Sequence, residues 1–141
     1  MLRAAIGLFV LLVGYTAPAE AYWWWWRPRL PACEEGWVLE KISERFQWAN
    51  VHTWHNNLAI ERIYQVRETG VRLPGKSLID RRYCSATATL SNGSRSEVVY
   101  LIEAGAGFAS VGSRVSWCLP AYDRYRVYEP WCRAIRPAAT P

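Results

Sequence analysis

The sequence predicts an α+β domain in which one N-terminal helix packs on a curled four-stranded antiparallel sheet stapled by disulfides. Three observations carry that expectation. A single amphipathic repeat covers Glu34 to Asn50, four β-like runs follow it with Asn92-Gly93 between two of them, and four cysteines lie behind an export signal. The chain has 141 residues, 51% of them hydrophobic and 21% charged, which is a globular composition of about one domain's size and excludes a multidomain enzyme.

Met1 to Arg3 give a short positive start, Ala4 to Tyr15 form an apolar run, and Ala19-Glu20-Ala21 is a small-x-small cleavage site. The apolar run is too short to span a bilayer, which needs ~20 residues. Tyr22 is therefore read as the mature N-terminus, with a cut after Ala19 as the alternative. The expected organisation is a signal peptide at 1–21, a Trp/Arg/Pro-rich arm at 22–31, a single α+β domain at 32–137 and a disordered tail at 138–141. Cys33, Cys84, Cys118 and Cys132 all lie in the domain, and an even number in an exported chain reads as two disulfides. Of the three pairings, Cys118–Cys132 is favoured because it closes a short loop with Pro120 and Pro130 near its ends, which leaves Cys33–Cys84.

In the arm, four tryptophans are followed by Arg27, Pro28, Arg29 and Pro31, a pattern without helical periodicity. Val38, Ile42, Phe46 and Ala49 then recur at helical spacing, with Glu34 and Glu35 where the helix dipole favours negative charge. Leu58, Ile60, Tyr64 and Val66 share one parity and predict a strand from about Leu58 to Arg67, followed by a loop over Glu68 to Lys76. Asn92-Gly93 predicts a two-residue type I′ hairpin. With Ser91 opposite Ser94, that register places Cys84, Ala86, Ala88 and Leu90 on one face with Val99 and Leu101, and sets Arg82 opposite Glu103. The alanines leave a shallow floor for the helix, and Cys84 on that floor reaches Cys33 at the helix start. Tyr83, Ser85, Thr87, Thr89, Val98 and Tyr100 populate the other face. After Gly105-Ala106-Gly107, residues Arg114 to Cys118 make a fourth strand, and Leu119 to Pro141 is clamped over the sheet by the second disulfide.

The element order resembles the cystatin-like arrangement of a curled sheet around a helix. Tyr83-Cys84-Ser85-Ala86, Leu90-Ser91-Asn92-Gly93, Trp117-Cys118 and Trp131-Cys132-Arg133-Ala134 with Arg136-Pro137 resemble a group of small exported bacterial proteins of unknown function. The resemblance spans roughly Cys33 to Pro137 and implies export and a disulfide pattern, with no chemistry attached.

Candidate binding residues are Trp23, Trp24, Trp25, Trp26, Arg27 and Arg29, since indole rings favour the boundary of water and headgroups and guanidinium groups are drawn to phosphate. Trp48, Trp54, Trp117 and Trp131 offer platforms for sugar rings, against the need of a small core for the same rings. His52 and His55 are too few for a metal site, and a hydrogen-bonding role near the helix end is expected of them. No serine stands in a nucleophile-elbow context, and Glu61, Glu97 and Glu103 fall on strands. Gly105 to Ser110 opens no helix to hold phosphate, and Gln65 to Gly70 lacks the Gln-x-Val-x-Gly spacing of a cystatin-type inhibitor loop. The 17 Lys+Arg exceed the 12 Asp+Glu by only five, spread along the chain, and export disfavours nucleic acid as a partner. The sequence thus points to a non-enzymatic binding or interaction module of the cell envelope, periplasmic or secreted, with no cofactor or metal. Its expected partners are anionic lipid, glycan or an envelope protein. The alternative is an envelope-polymer hydrolase or hydrolase inhibitor.

Overall fold

The computed structural model describes residues 29–73, 79–107 and 112–138. Helix α1 (Gly36–His52) precedes β1 (Ile60–Arg72), β2 (Arg81–Leu90), β3 (Arg95–Ala104) and β4 (Ser113–Cys118), and a kinked 3-10 segment covers Pro130–Ile135. The four strands form one antiparallel sheet in sequence order, so every connection joins spatial neighbours. The helix backbone approaches the edge strands β1 and β4 more closely than the middle pair, as a curled sheet requires.

Val38, Ile42, Phe46 and Asn50, spaced by four, are the buried stripe of α1. They meet Cys84, Ala86, Ala88 and Leu90 of β2 in one core, so the alanine floor receives the helix as its pattern predicts. Phe46 is fully buried and lies edge-on to Trp117 and Tyr122, with ring centroids 6.0 and 6.1 Å away. The Asn50 side-chain amide turns back to donate to the Phe46 carbonyl at 2.8 Å, which lets a polar residue close the apolar stripe. Cys33 bonds Cys84 and Cys118 bonds Cys132, the pairing expected from loop length.

The hairpin forms where Asn92-Gly93 places it, but with a different turn. A type I′ turn needs positive φ at both central residues, and of these two only Gly93 has it (φ +79°). Asn92 instead uses its side-chain oxygen to accept from the Ser94 backbone N–H (3.0 Å) and hydroxyl (2.6 Å). The Gly93 N–H donates to the Leu90 carbonyl at 2.8 Å and the Leu90 N–H to the Ser94 carbonyl at 2.9 Å, giving a three-residue loop with a glycine bulge. Thr89 therefore faces Arg95, one residue away from the predicted register.

That single slip turns β3 over. Val98, Tyr100 and Ile102 face the helix, whereas Val99 and Leu101, expected there, lie on the opposite face with Tyr83. Arg81 rather than Arg82 stands opposite Glu103, and its Nε lies 2.9 Å from the carboxylate. Arg82 pairs with Glu68 on β1.

β1 is longer than its parity predicts and runs on through Gly70 to Arg72, where the sequence suggested a loop. Its register shifts three times, and Gln65 sits at φ +52°, so Ile60, Ile63 and Val66 reach the core at spacings of three rather than two. Gly70 is held close to the C-terminal segment: a Cβ there would lie 3.1 Å from the Pro137 side chain.

After β4 the chain crosses from one face of the sheet to the other. Leu119 and Tyr122 belong to the helix-side core, while Cys132 and Ile135 pack on Tyr83, Val99 and Leu101 behind the sheet. Arg136 fixes the crossing with two bonds to Glu97 on β3, at 3.1 and 2.6 Å.

Candidate functional site

Two surfaces collect exposed aromatic and basic residues. At the first, the arm joins the domain beside the start of α1. Trp23, Trp24, Trp25, Trp26 and Arg27 lie outside the described residues, and Arg29 is 88% exposed. Leu30 packs against the core and Pro31 is buried, so the junction is anchored. Glu35, the residue before α1, organises it. Its carboxylate accepts from the Trp37 indole N–H (2.7 Å) and the Ala32 backbone N–H (3.1 Å), and lies 3.6 Å from the Arg29 guanidinium. The bond from Trp37, then that from Ala32, hold the Glu35 carboxyl below its ordinary value. The outer face of α1 continues from there. Lys41 places its ammonium 5.8 Å from the centre of the exposed Trp37 ring, and Trp48 stacks on His52 with centroids 4.8 Å apart.

The second surface is the loop closed by Cys118 and Cys132. Tyr125, Val127 and Trp131 all project into solvent from it. Asp123 folds the loop by accepting the Val127 N–H at 3.1 Å, and Glu129 accepts from Arg133 at 2.8 Å. A shallow cavity of about 170 Å³ lies between Pro120, Asp123, Arg126, Glu129, Pro130 and Trp131. The backbone here is unusual for residues with side chains, because Arg126, Glu129, Trp131 and Cys132 all have positive φ. Composition gives no sign of this, since none of the four is glycine. The paired cysteines and the two prolines were the available signal.

The remaining sequence candidates are dispersed. His52 and His55 each place Nδ1 at 3.0 and 3.1 Å from the carbonyl four residues back, so each Nδ1 carries the proton and serves the helix end. Glu97 and Glu103 stand six residues apart on β3, roughly 20 Å at strand rise, beyond the span of an acid–base pair. Each is held by its own arginine, Arg136 and Arg81. Glu61 is exposed on β1. The Gly105 N–H donates to the Gly112 carbonyl at 2.8 Å, and the turn expected from Gly105 to Ser110 falls partly on residues 108–111, which lie outside the described residues. All four cysteines are in disulfides, and the described residues contain no group of three or more potential metal ligands. None of their helices is long and apolar enough to cross a membrane. Compared with known proteins, the chain matches no family model, no curated protein and no solved structure.

Proposed function

We propose that the chain is an exported, non-enzymatic binding module of the cell envelope, periplasmic or secreted, whose arm contacts anionic lipid through Trp23, Trp24, Trp25, Trp26, Arg27 and Arg29. The observation that carries this reading is the shared Glu35 carboxylate, which ties Arg29 of the arm and Trp37 of the helix to one anchored junction. The aromatic and basic chemistry of the arm continues across that junction onto Trp37 and Lys41. Tryptophan supplies an amphipathic ring for the interface, and arginine supplies bidentate donors for phosphate. Two disulfides suit an oxidising compartment, and the motif resemblance to small exported bacterial proteins points the same way.

Co-sedimentation of the mature chain with vesicles tests the reading. Binding is expected to vesicles rich in phosphatidylglycerol and not to pure phosphatidylcholine, to weaken with salt, and to be lost when residues 22–29 are removed. Equal binding with and without those residues overturns it.

A further inference from the structure

We propose that the loop closed by Cys118 and Cys132 is a saccharide-binding site, with the Trp131 indole as stacking platform and Asp123, Arg126 and Glu129 as its polar groups. The site stands apart from the arm, at the other end of the chain.

Trp131 is 78% exposed, and its backbone is held in the left-handed region at φ 61°, ψ 26°. Glu129, two residues earlier, sits at φ 63°, ψ 171°, a region otherwise left almost entirely to glycine. Such geometry persists only where the surroundings over-determine it. Here the Cys118–Cys132 bond, the Arg133–Glu129 pair and a 2.9 Å bond from Arg136 Nε to the Trp131 carbonyl do so. Arg136 also grips Glu97, which bolts the strained segment to β3. The result is a restrained backbone that presents a large apolar ring to solvent beside a cavity of about 170 Å³.

The chemistry of the lining selects among occupants. Asp123 and Glu129 supply carboxylate acceptors, and the Arg126 guanidinium has no partner among the described residues, so its donors are unspent. Of the groups that line the cavity, Asp123 and Glu129 are offset by Arg126 and by Arg133 on Glu129, so the lining itself carries no net charge to favour an ion, although Arg124 elsewhere in the loop leaves the segment one positive charge in excess. Sugar hydroxyls donate and accept at once, and therefore suit carboxylates and a guanidinium set side by side. The electropositive C–H face of a pyranose ring complements the negative face of indole. Pro120 and Pro130 keep the walls rigid at little entropic cost.

The probes are neutral tetrasaccharides of β-1,4-linked N-acetylglucosamine, β-1,4-glucose and α-1,4-glucose, each added at millimolar concentration to the 15N-labelled mature chain. The Trp131 indole N–H cross-peak, assigned by its loss in Trp131→Phe, reports stacking. At least one tetrasaccharide is expected to move it saturably together with the Val127 and Cys132 amides. Trp131→Ala and Arg126→Ala are each expected to weaken the amide response about tenfold, the scale of one stacking or charged contact. Trp48→Ala on the helix is expected to change nothing. Arg126 is exposed, with no side-chain partner among the described residues, so its variant decides the matter should the Trp131 variant not fold. The proposal is overturned if no tetrasaccharide moves the cross-peak, if only anionic vesicles do, or if the Trp131 and Arg126 variants bind as tightly as the parent.

Discussion

Tyr100 stands opposite Cys84 on the neighbouring strand and donates its hydroxyl to the Cys33 carbonyl at 2.8 Å, so it fastens the same two segments as the Cys33–Cys84 disulfide. The phenol is fully buried and Cys33 is 1% exposed, so Tyr100→Phe leaves a buried carbonyl without its donor. That variant is expected to lose ~1–3 kcal/mol in urea denaturation, the cost of an unsatisfied buried acceptor. Burial, then the nearby Glu34 charge, pushes the Tyr100 hydroxyl far above its ordinary value of 10.0. The stability tied to it is thus fully present below that value and lost as pH rises above it, because the unfolded chain ionises first. The gap between parent and Tyr100→Phe should therefore narrow above pH 10. A gap that stays constant into alkali contradicts the assignment.

The two bridges close loops of different length, with sequence separations of 51 and 14 residues. Chain entropy gives ~4 kcal/mol for the first and ~3 kcal/mol for the second. Replacing Cys33 and Cys84 by serine should destabilise more than the same change at Cys118 and Cys132. Chemical denaturation of the two double variants measures the order. The second pair carries a further expectation, since without it the Glu129 to Cys132 backbone loses one of its restraints.

Glu129→Gly should raise stability by ~1 kcal/mol. Relief of a conformation that side chains rarely adopt outweighs the added freedom of the unfolded glycine and the loss of one exposed ion pair to Arg133. A fall in melting temperature would show that the segment is unstrained.

The hairpin register has its own check. A double-mutant cycle on Arg81 and Glu103 should return a coupling of ~0.5–1 kcal/mol for this partly buried pair, and the cycle on Arg82 and Glu103 should return none. The reverse result would restore the register expected from a two-residue turn.

The helix, the hairpin at Asn92-Gly93 and the disulfide pairing were legible because each rests on spacing. Val38, Ile42 and Phe46 repeat at four, and Cys118 and Cys132 enclose a short loop with Pro120 and Pro130 near its ends, which favoured their pairing. The register of β3 was not, since Asn92-Gly93 serves a two-residue turn and a three-residue bulged turn equally well. The choice lay in whether Asn92 turned its backbone or its side chain. β1 misled in the same way, because three register shifts, one of them at Gln65 with its positive φ, break the two-residue period that its apolar residues suggest. At the C-terminal loop the informative feature is a backbone conformation on Arg126, Glu129 and Trp131, and residue type points away from it. The arm, by contrast, is visible in sequence alone through Trp23 to Arg29.

Envelope contact through that arm requires export with the arm intact. Intact mass spectrometry of the chain recovered from its native envelope fraction, after treatment with a thiol alkylator, measures both conditions at once. The expected species begins at Tyr22, keeps all four consecutive tryptophans, lacks two hydrogens for each of two disulfides and takes up no alkyl group. A species that retains Met1, has lost Trp23 to Arg29, or is alkylated at its cysteines contradicts the proposed function.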